Sequence, residues 1–273
     1  MKKERIIVLG CGHSGTTLLS GLLYFNGYKM LSPPTYNFEC YFLNRLNEKI
    51  LNEKNDYFKR KNIQYYIDKL EENTQGKWLM KDPLLNYLIK DYDSVIQKDY
   101  KVLFIYREPG KVINHLFNEL KGYMIELADE DIMKMAKKQW INSNESVLSF
   151  LRATKREVLL INYQDLLNYE NIHYLEYFLG HKLYMNFVNK KLNRSQNIEI
   201  ESEFLELYNK LEKMKKESLE NLHKFDNEKR DFKIHKNAFN FLIKKYITKI
   251  NRKVFFKVTK GRPVYLRKPY PNE

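Results

Sequence analysis

The sequence is poor in the residues that would cross-link it. Only two of its 273 residues are cysteine, Cys11 and Cys40, so a disulfide framework is excluded and a reducing compartment is expected. No apolar run approaches the roughly 18–20 residues that span a bilayer. The opening Met1-Lys2-Lys3-Glu4-Arg5, followed by Ile6 to Leu9, has the outline of a secretion signal. However, Gly10, Gly12, His13, Ser14 and Gly15 interrupt the apolar stretch, and no small-residue cleavage site follows. These absences predict a cytoplasmic protein. The six histidines show no ligand spacing such as His-Glu-x-x-His, so no metal is expected. Internal repeats and low-complexity linkers are also missing.

What is present is an ordinary folding composition, 43% hydrophobic and 30% charged. The formal net charge of +14 is unevenly placed: residues 227–273 hold 14 Lys and Arg against Glu228, Asp231 and Glu273, a net +11. A patch of that kind attracts phosphate, sulfate, nucleic acid or an acidic membrane surface, allowing peripheral membrane contact; the plainer reading is a solvated surface.

Hydrophobic patterning predicts a strand over Arg5 to Gly10, a glycine-rich turn, and a helix over Thr16 to Phe25. Asn37 to Asn73 reads as largely helical. Lys77 to Met80 reads as a second strand, Pro83 to about Ile96 as a helix, and Lys101 to Tyr106 as an interior strand. Pro109 suits the first turn of a helix running to Lys121. Asp131 to Ala153 reads as a long helix, Glu157 to Ile161 as a strand, and Tyr174 to Leu179 as a short helix stopped by Gly180. From about Glu199 the pattern turns highly charged and helical, an extended helix or insertion, with Asn237 to Ile250 a further helix. Alternating strands and helices imply an α/β chain, with a mainly parallel sheet flanked by helices in three layers. The expectation is one domain over 1–273, its C-terminal part helical and basic.

Gly10-Cys11-Gly12-His13-Ser14-Gly15-Thr16-Thr17 has the glycine spacing of a Walker-type loop, in which backbone N–H groups and a helix N-terminus cradle an anion. A nucleotide-triphosphate loop needs lysine before its Ser/Thr; here Thr16 stands in that place. A glycine turn without a ligand would explain the glycines equally.

The run Gly-x-x-x-Ser-Gly-Thr-Thr-Leu-Leu after a strand resembles the 5′-phosphosulfate loop of sulfotransferases that use 3′-phosphoadenosine-5′-phosphosulfate (PAPS). The resemblance extends, in order, to Lys101-Val102-Leu103-Phe104-Ile105-Tyr106-Arg107-Glu108-Pro109, similar to the family's 3′-phosphate segment. Trp78-Leu79-Met80-Lys81-Asp82-Pro83 resembles an element of the tyrosylprotein and carbohydrate branches. Ile161-Asn162-Tyr163-Gln164-Asp165-Leu166 resembles the Arg-Tyr-Glu-Asp-Leu segment, and Lys260-Gly261-Arg262 a loop closing over the donor. Three positions depart from the family: His13 replaces a Lys or Arg, His115 a Ser, and Asn162 an Arg.

The resemblance implies a P-loop-type fold, PAPS as donor and no metal. Gly12, His13, Ser14, Gly15, Thr16 and Thr17 would hold the 5′-phosphosulfate. Arg107 and His115 would take the 3′-phosphate, with Tyr163, Lys260, Gly261 and Arg262 around the nucleotide. Lys81 and His13 would stabilise the bridging oxygen, and Glu39 would be the base, with Glu48 its rival on the same helix. The acceptor it suggests is a carbohydrate hydroxyl. On the residues alone, Arg107 also reads as a strand-end ion pair, Lys81 as a surface lysine and Glu39 as a carboxylate at a helix start. Two other functions stay open. A P-loop nucleotide kinase or NTPase would need a loop lysine. A non-catalytic nucleic-acid-binding protein would use the basic tail and its aromatics, but would leave the loop, Lys81 and Arg107 unexplained. A sulfotransferase relative without catalysis is the third.

Overall fold

The computed structural model describes residues 3–186 and 197–223. Continuous apolar runs become strands buried on both faces, as parallel sheets require. They are β1 (Glu4–Leu9), β2 (Lys77–Lys81), β3 (Lys101–Tyr106) and β4 (Glu157–Asn162). All pair in parallel, in the order β2-β1-β3-β4. The central β1 and β3 contribute Ile6 to Leu9 and Val102 to Tyr106, all 1% exposed or less.

The connections are helical: α1 (Thr16–Phe25), α2 (Tyr41–Asn52) and α3 (Asp56–Thr74) lead to β2, and α4 (Leu85–Val95) to β3. Next, α5 (Pro109–Lys121) and α6 (Asp129–Ala153) lead to β4, followed by α7 (Tyr163–Asn168), α8 (Ile172–Leu179) and α9 (Ser202–His223). The chain steps one way from β1 to β2 and the other way from β2 to β3 and on to β4. Right-handed crossovers therefore put α1 on one face and α4 to α6 on the other. This is the expected α/β architecture with a parallel central sheet.

The stretch read as one helical region over Asn37 to Asn73 divides. Asn55 accepts hydrogen bonds from the Tyr57 and Phe58 N–H groups and starts α3 afresh, while the chain is extended at Glu53. Asp, Asn, Ser and Thr favour such caps because their oxygens satisfy orphan helix donors. Gln75 and Gly76, both with left-handed backbone, end α3. The charged segment after Glu199 packs as α9 against β4: Phe204, Leu207 and Leu211 are buried, and Lys215 reaches Asp165 at 3.1 Å. The helix expected over Asn237 to Ile250, the basic tail, and Lys260, Gly261 and Arg262 lie outside the described residues. Among the described residues no helix is long and apolar enough to cross a membrane.

Candidate functional site

Register fixes the site. Val8 pairs with Lys81, Leu9 with Phe104, and Tyr106 with Asn162. The residues leaving each strand, Gly10, Lys81, Arg107 and Tyr163, therefore gather at the carboxyl edge of the sheet. The topology changes direction between β1 and β3, where α/β sheets open a crevice for ligands.

The turn from β1 into α1 is tightly determined. A Cβ at Gly10 would lie 2.4 Å from the Ile105 carbonyl oxygen, so only glycine lets the loop pass β3. The Gly10 N–H donates to Asn86 Oδ1 at 3.0 Å, and Asn86 Nδ2 donates to Ser143 Oγ at 2.6 Å. Ser14 N–H donates to the Cys11 carbonyl at 3.1 Å. Gly15 has φ 100°, and a Cβ there would meet Tyr163 Cδ2 at 2.2 Å. Thr16 is buried and Thr17 half-buried at the start of α1. Ser14 Oγ is buried and has no hydrogen-bond partner among the described residues. A buried hydroxyl without a partner, under a helix N-terminus, suits an oxyanion ligand. Cys11, also in the loop, is no nucleophile: burial pushes its thiol up to about 12.

Arg107 continues the wall of the loop. Its guanidinium lies 4.3 Å over the Tyr163 ring, and Nη1 donates to the His13 carbonyl at 3.4 Å. A cation–π stack thus holds Arg107 at the strand end with its fork turned to the loop. His13 has left-handed backbone, φ 63°. Its Nε2 lies 2.6 Å from Glu119 Oε2, and its ring stacks on His115 at 5.3 Å between centroids. Burial first, then the charges of His13 and Arg107, lower the His115 imidazole. His13 thus meets groups of α5, and no described hydrogen bond joins it to Lys81.

Glu39 and Lys81 form a second group. A turn at Thr35 to Glu39 is closed by Thr35 N–H to the Glu39 carbonyl at 2.8 Å, with Phe38 at φ 53°. Phe38 anchors that turn on α1 through Phe25, 5.5 Å away. The turn delivers Glu39 to Lys81, whose Nζ donates to Glu39 Oε1 and, at 3.1 Å, to the Asn37 carbonyl. Both side chains are 3% exposed. Glu39 therefore lies before α2, not at a helix start serving its dipole, and Lys81 is no surface lysine. Glu48 pairs instead with Arg45 at 2.9 Å on the exposed side of α2.

Sequence reasoning missed three supports. Asp82 is buried behind Lys81, accepting from Asn44 at 2.9 Å and from Leu84 N–H at 2.8 Å. Burial, then the Glu39 charge, pushes its carboxyl up to about 6. Glu119 and Asn86 sit on helices far along the chain from the loop they serve. Helical periodicity marks their faces but not their partners. At Asn162, the side chain caps α7 by accepting from Gln164 N–H at 2.8 Å and donates to Tyr208 and Glu212 of α9. Among the described residues no cluster of three metal-ligating side chains occurs.

No protein-family model and no curated relative matches the sequence. Among solved structures, the chain is similar to the sulfotransferase domain from the curacin biosynthetic pathway, with 18% identity and a TM-score of 0.53. That match covers 77% of this chain and 98% of the other. It is also similar to the sulfotransferase STF9 from Mycobacterium avium, with 12% identity and a TM-score of 0.51, over 86% of this chain and 79% of that one. The fold is that of sulfotransferases.

Proposed function

We propose that this chain is a PAPS-dependent sulfotransferase acting on a hydroxyl, with a sugar hydroxyl as the acceptor class. The observation that carries the reading is the buried Glu39–Lys81 pair at the end of β2, beside a phosphate loop that has no lysine. A general base and a cation next to an anion cradle are what sulfuryl transfer requires.

The loop N–H groups from Gly12 to Thr17, with the Ser14, Thr16 and Thr17 hydroxyls, bind the 5′-phosphosulfate. Arg107, steadied on Tyr163, takes the 3′-phosphate with His115 beside it. The acceptor oxygen bonds to sulfur as the bond from sulfur to the bridging oxygen breaks, and the electron pair leaves on adenosine 3′,5′-bisphosphate. The hydroxyl proton passes to Glu39. Lys81 and His13 offset the negative charge that develops as the bisphosphate leaves. As in phosphoryl transfer, the protein's share is positioning and electrostatics. One structural neighbour is a domain from a biosynthetic pathway, so non-sugar hydroxyls belong in the acceptor panel as well.

Transfer of labelled sulfate from PAPS to a panel of glycosides and simple alcohols tests this. Glu39→Gln is expected to keep bisphosphate binding and to slow transfer by about a hundredfold or more. Equal turnover would remove Glu39 as the base. Donor binding with no transfer and no sulfate release would leave a binding protein in place of an enzyme.

A further inference from the structure

Two tyrosines and a turn with exposed aliphatic side chains stand beside Glu39 and Glu119, and their chemistry narrows what the acceptor is. We propose that the acceptor is an uncharged amphiphile: a ring hydroxyl seated between Tyr36 and Tyr123, with an apolar chain lying along Ile125 and Leu127. This rests on the sulfotransferase reading above, which supplies the reacting hydroxyl.

Two segments bring these residues together. Tyr36 lies inside the turn closed by the Thr35 N–H on the Glu39 carbonyl at 2.8 Å. On the other side, Glu119 in the last turn of α5 meets His13 of the phosphate loop at 2.6 Å. The chain leaving α5 therefore starts at the rim of that loop. It forms a turn whose ends are tied by Lys121 to Asp129 at 2.5 Å. Met124 packs against the core, with its N–H on the Leu120 carbonyl at 2.8 Å. Tyr123, Ile125 and Leu127 around it are exposed. Burial first, and then neighbouring charge, raises both phenols, which stay neutral. The Glu119 charge acts on both, the Glu39 charge on Tyr36, and Tyr36 on Tyr123. The two rings thus lie together at the gap between Glu39 and Glu119.

Ile125 is 85% exposed, more than any other large apolar side chain among the described residues. Single exposed apolar groups are ordinary, but an apolar group continuous with a reacting centre marks a ligand surface. Phenols and aliphatic side chains offer no cation to an anionic acceptor, and the Glu39 and Glu119 carboxylates disfavour one. A tyrosine presents an apolar ring with a polar tip, which suits a ring that carries hydroxyls. Ile125 and Leu127 suit hydrocarbon.

The test is a saturation-transfer NMR titration of the whole chain, filled with adenosine 3′,5′-bisphosphate. The probes are methyl, butyl and octyl β-glucoside, each below its micelle-forming concentration. A covered methylene is worth up to about fourfold, so the octyl compound is expected to bind about tenfold or more tightly than the methyl one. The double variant Ile125→Ser, Leu127→Ser is expected to flatten the series to within about twofold. Both side chains are exposed, so the fold tolerates the change. Tyr36→Ala and Tyr123→Ala should each weaken all three glucosides. Tyr57→Ala removes an aromatic that is 67% exposed on α3 and should leave the series unchanged; a loss there equal to that in the double variant would mean indiscriminate adsorption and would overturn the proposal. So would no binding of any glucoside, no dependence on chain length, or tighter binding of maltotriose than of octyl β-glucoside. Each of these leaves the sulfotransferase reading standing. Failure of the bisphosphate to bind removes both.

Discussion

Replacing Lys81 by methionine isolates the electrostatics at the end of β2. Lys81 and Glu39 are each 3% exposed, and the lysine stem is packed at the sheet edge. Methionine keeps much of that stem's volume and removes the charge, so Glu39 stays buried but loses Lys81, near the carboxyl of Asp82. Breaking a buried pair from one side costs about 3–5 kcal/mol. For a chain of this size that is a fall of roughly 6–20 °C in Tm, at about 2–4 °C per kcal/mol. The double variant Glu39→Met, Lys81→Met removes both charges and is expected to recover most of the loss, since an apolar pair can replace a buried ion pair at little cost. Urea denaturation of wild type, both single variants and the double variant gives the coupling energy directly. A Lys81→Met cost below about 1 kcal/mol, or a double variant no more stable than Lys81→Met, would refute the reasoning.

Gly15→Ala meets both a left-handed backbone and a Cβ 2.2 Å from Tyr163, whereas Gly27→Ala at φ 94° has its nearest neighbour at 3.9 Å. The first is expected to cost about 2–4 kcal/mol and the second about 1–2 kcal/mol; equal losses in thermal melts would show that Tyr163 does not press on the loop. Asp82, raised to about 6, favours the folded state while protonated. That contribution is fully present below the unfolded carboxyl's titration and is lost as pH rises through about 6, amounting to about 3 kcal/mol. Asp82→Asn should therefore gain on wild type by roughly that amount between about pH 4 and pH 7 in paired urea melts; a pH-independent difference would count against a buried, titrating Asp82. Arg107→Lys loses the stack on Tyr163 and the two-pronged donor, and adenosine 3′,5′-bisphosphate should bind about tenfold or more weakly by calorimetry; unchanged affinity would place the 3′-phosphate elsewhere.

Much of the fold was legible in the sequence because parallel strands buried on both faces leave continuous apolar runs. Lys101 to Tyr106 and Thr16 to Phe25 match β3 and α1 residue for residue. The break between α2 and α3 was not legible, since the apolar spacing carries across it and the signal is a single cap at Asn55. The site was half legible. Local motifs mark the loop, Lys81 and Arg107, because each is set by a strand end and its following turn. The resemblance put Glu39 ahead of Glu48, but the turn at Thr35 to Glu39 that brings its carboxylate to Lys81 depends on Phe38 meeting α1 and was not legible. Glu119 reaching His13 across 106 positions, and Asn86 holding the Gly10 N–H, are tertiary facts that no local pattern encodes. Asn162, which stands where the family has an arginine, caps α7 and ties it to α9.

The central claim is that the lysine-free loop serves a sulfate donor. It is tested most directly by comparing the Tm shifts given by adenosine 3′,5′-bisphosphate, ADP with magnesium, and single-stranded DNA at one salt concentration. A ligand at a hundredfold excess over its Kd adds about 2.7 kcal/mol to the native state. The account predicts a clear rise with the bisphosphate and a smaller or absent one with the other two. A rise with ADP–magnesium alone would contradict it.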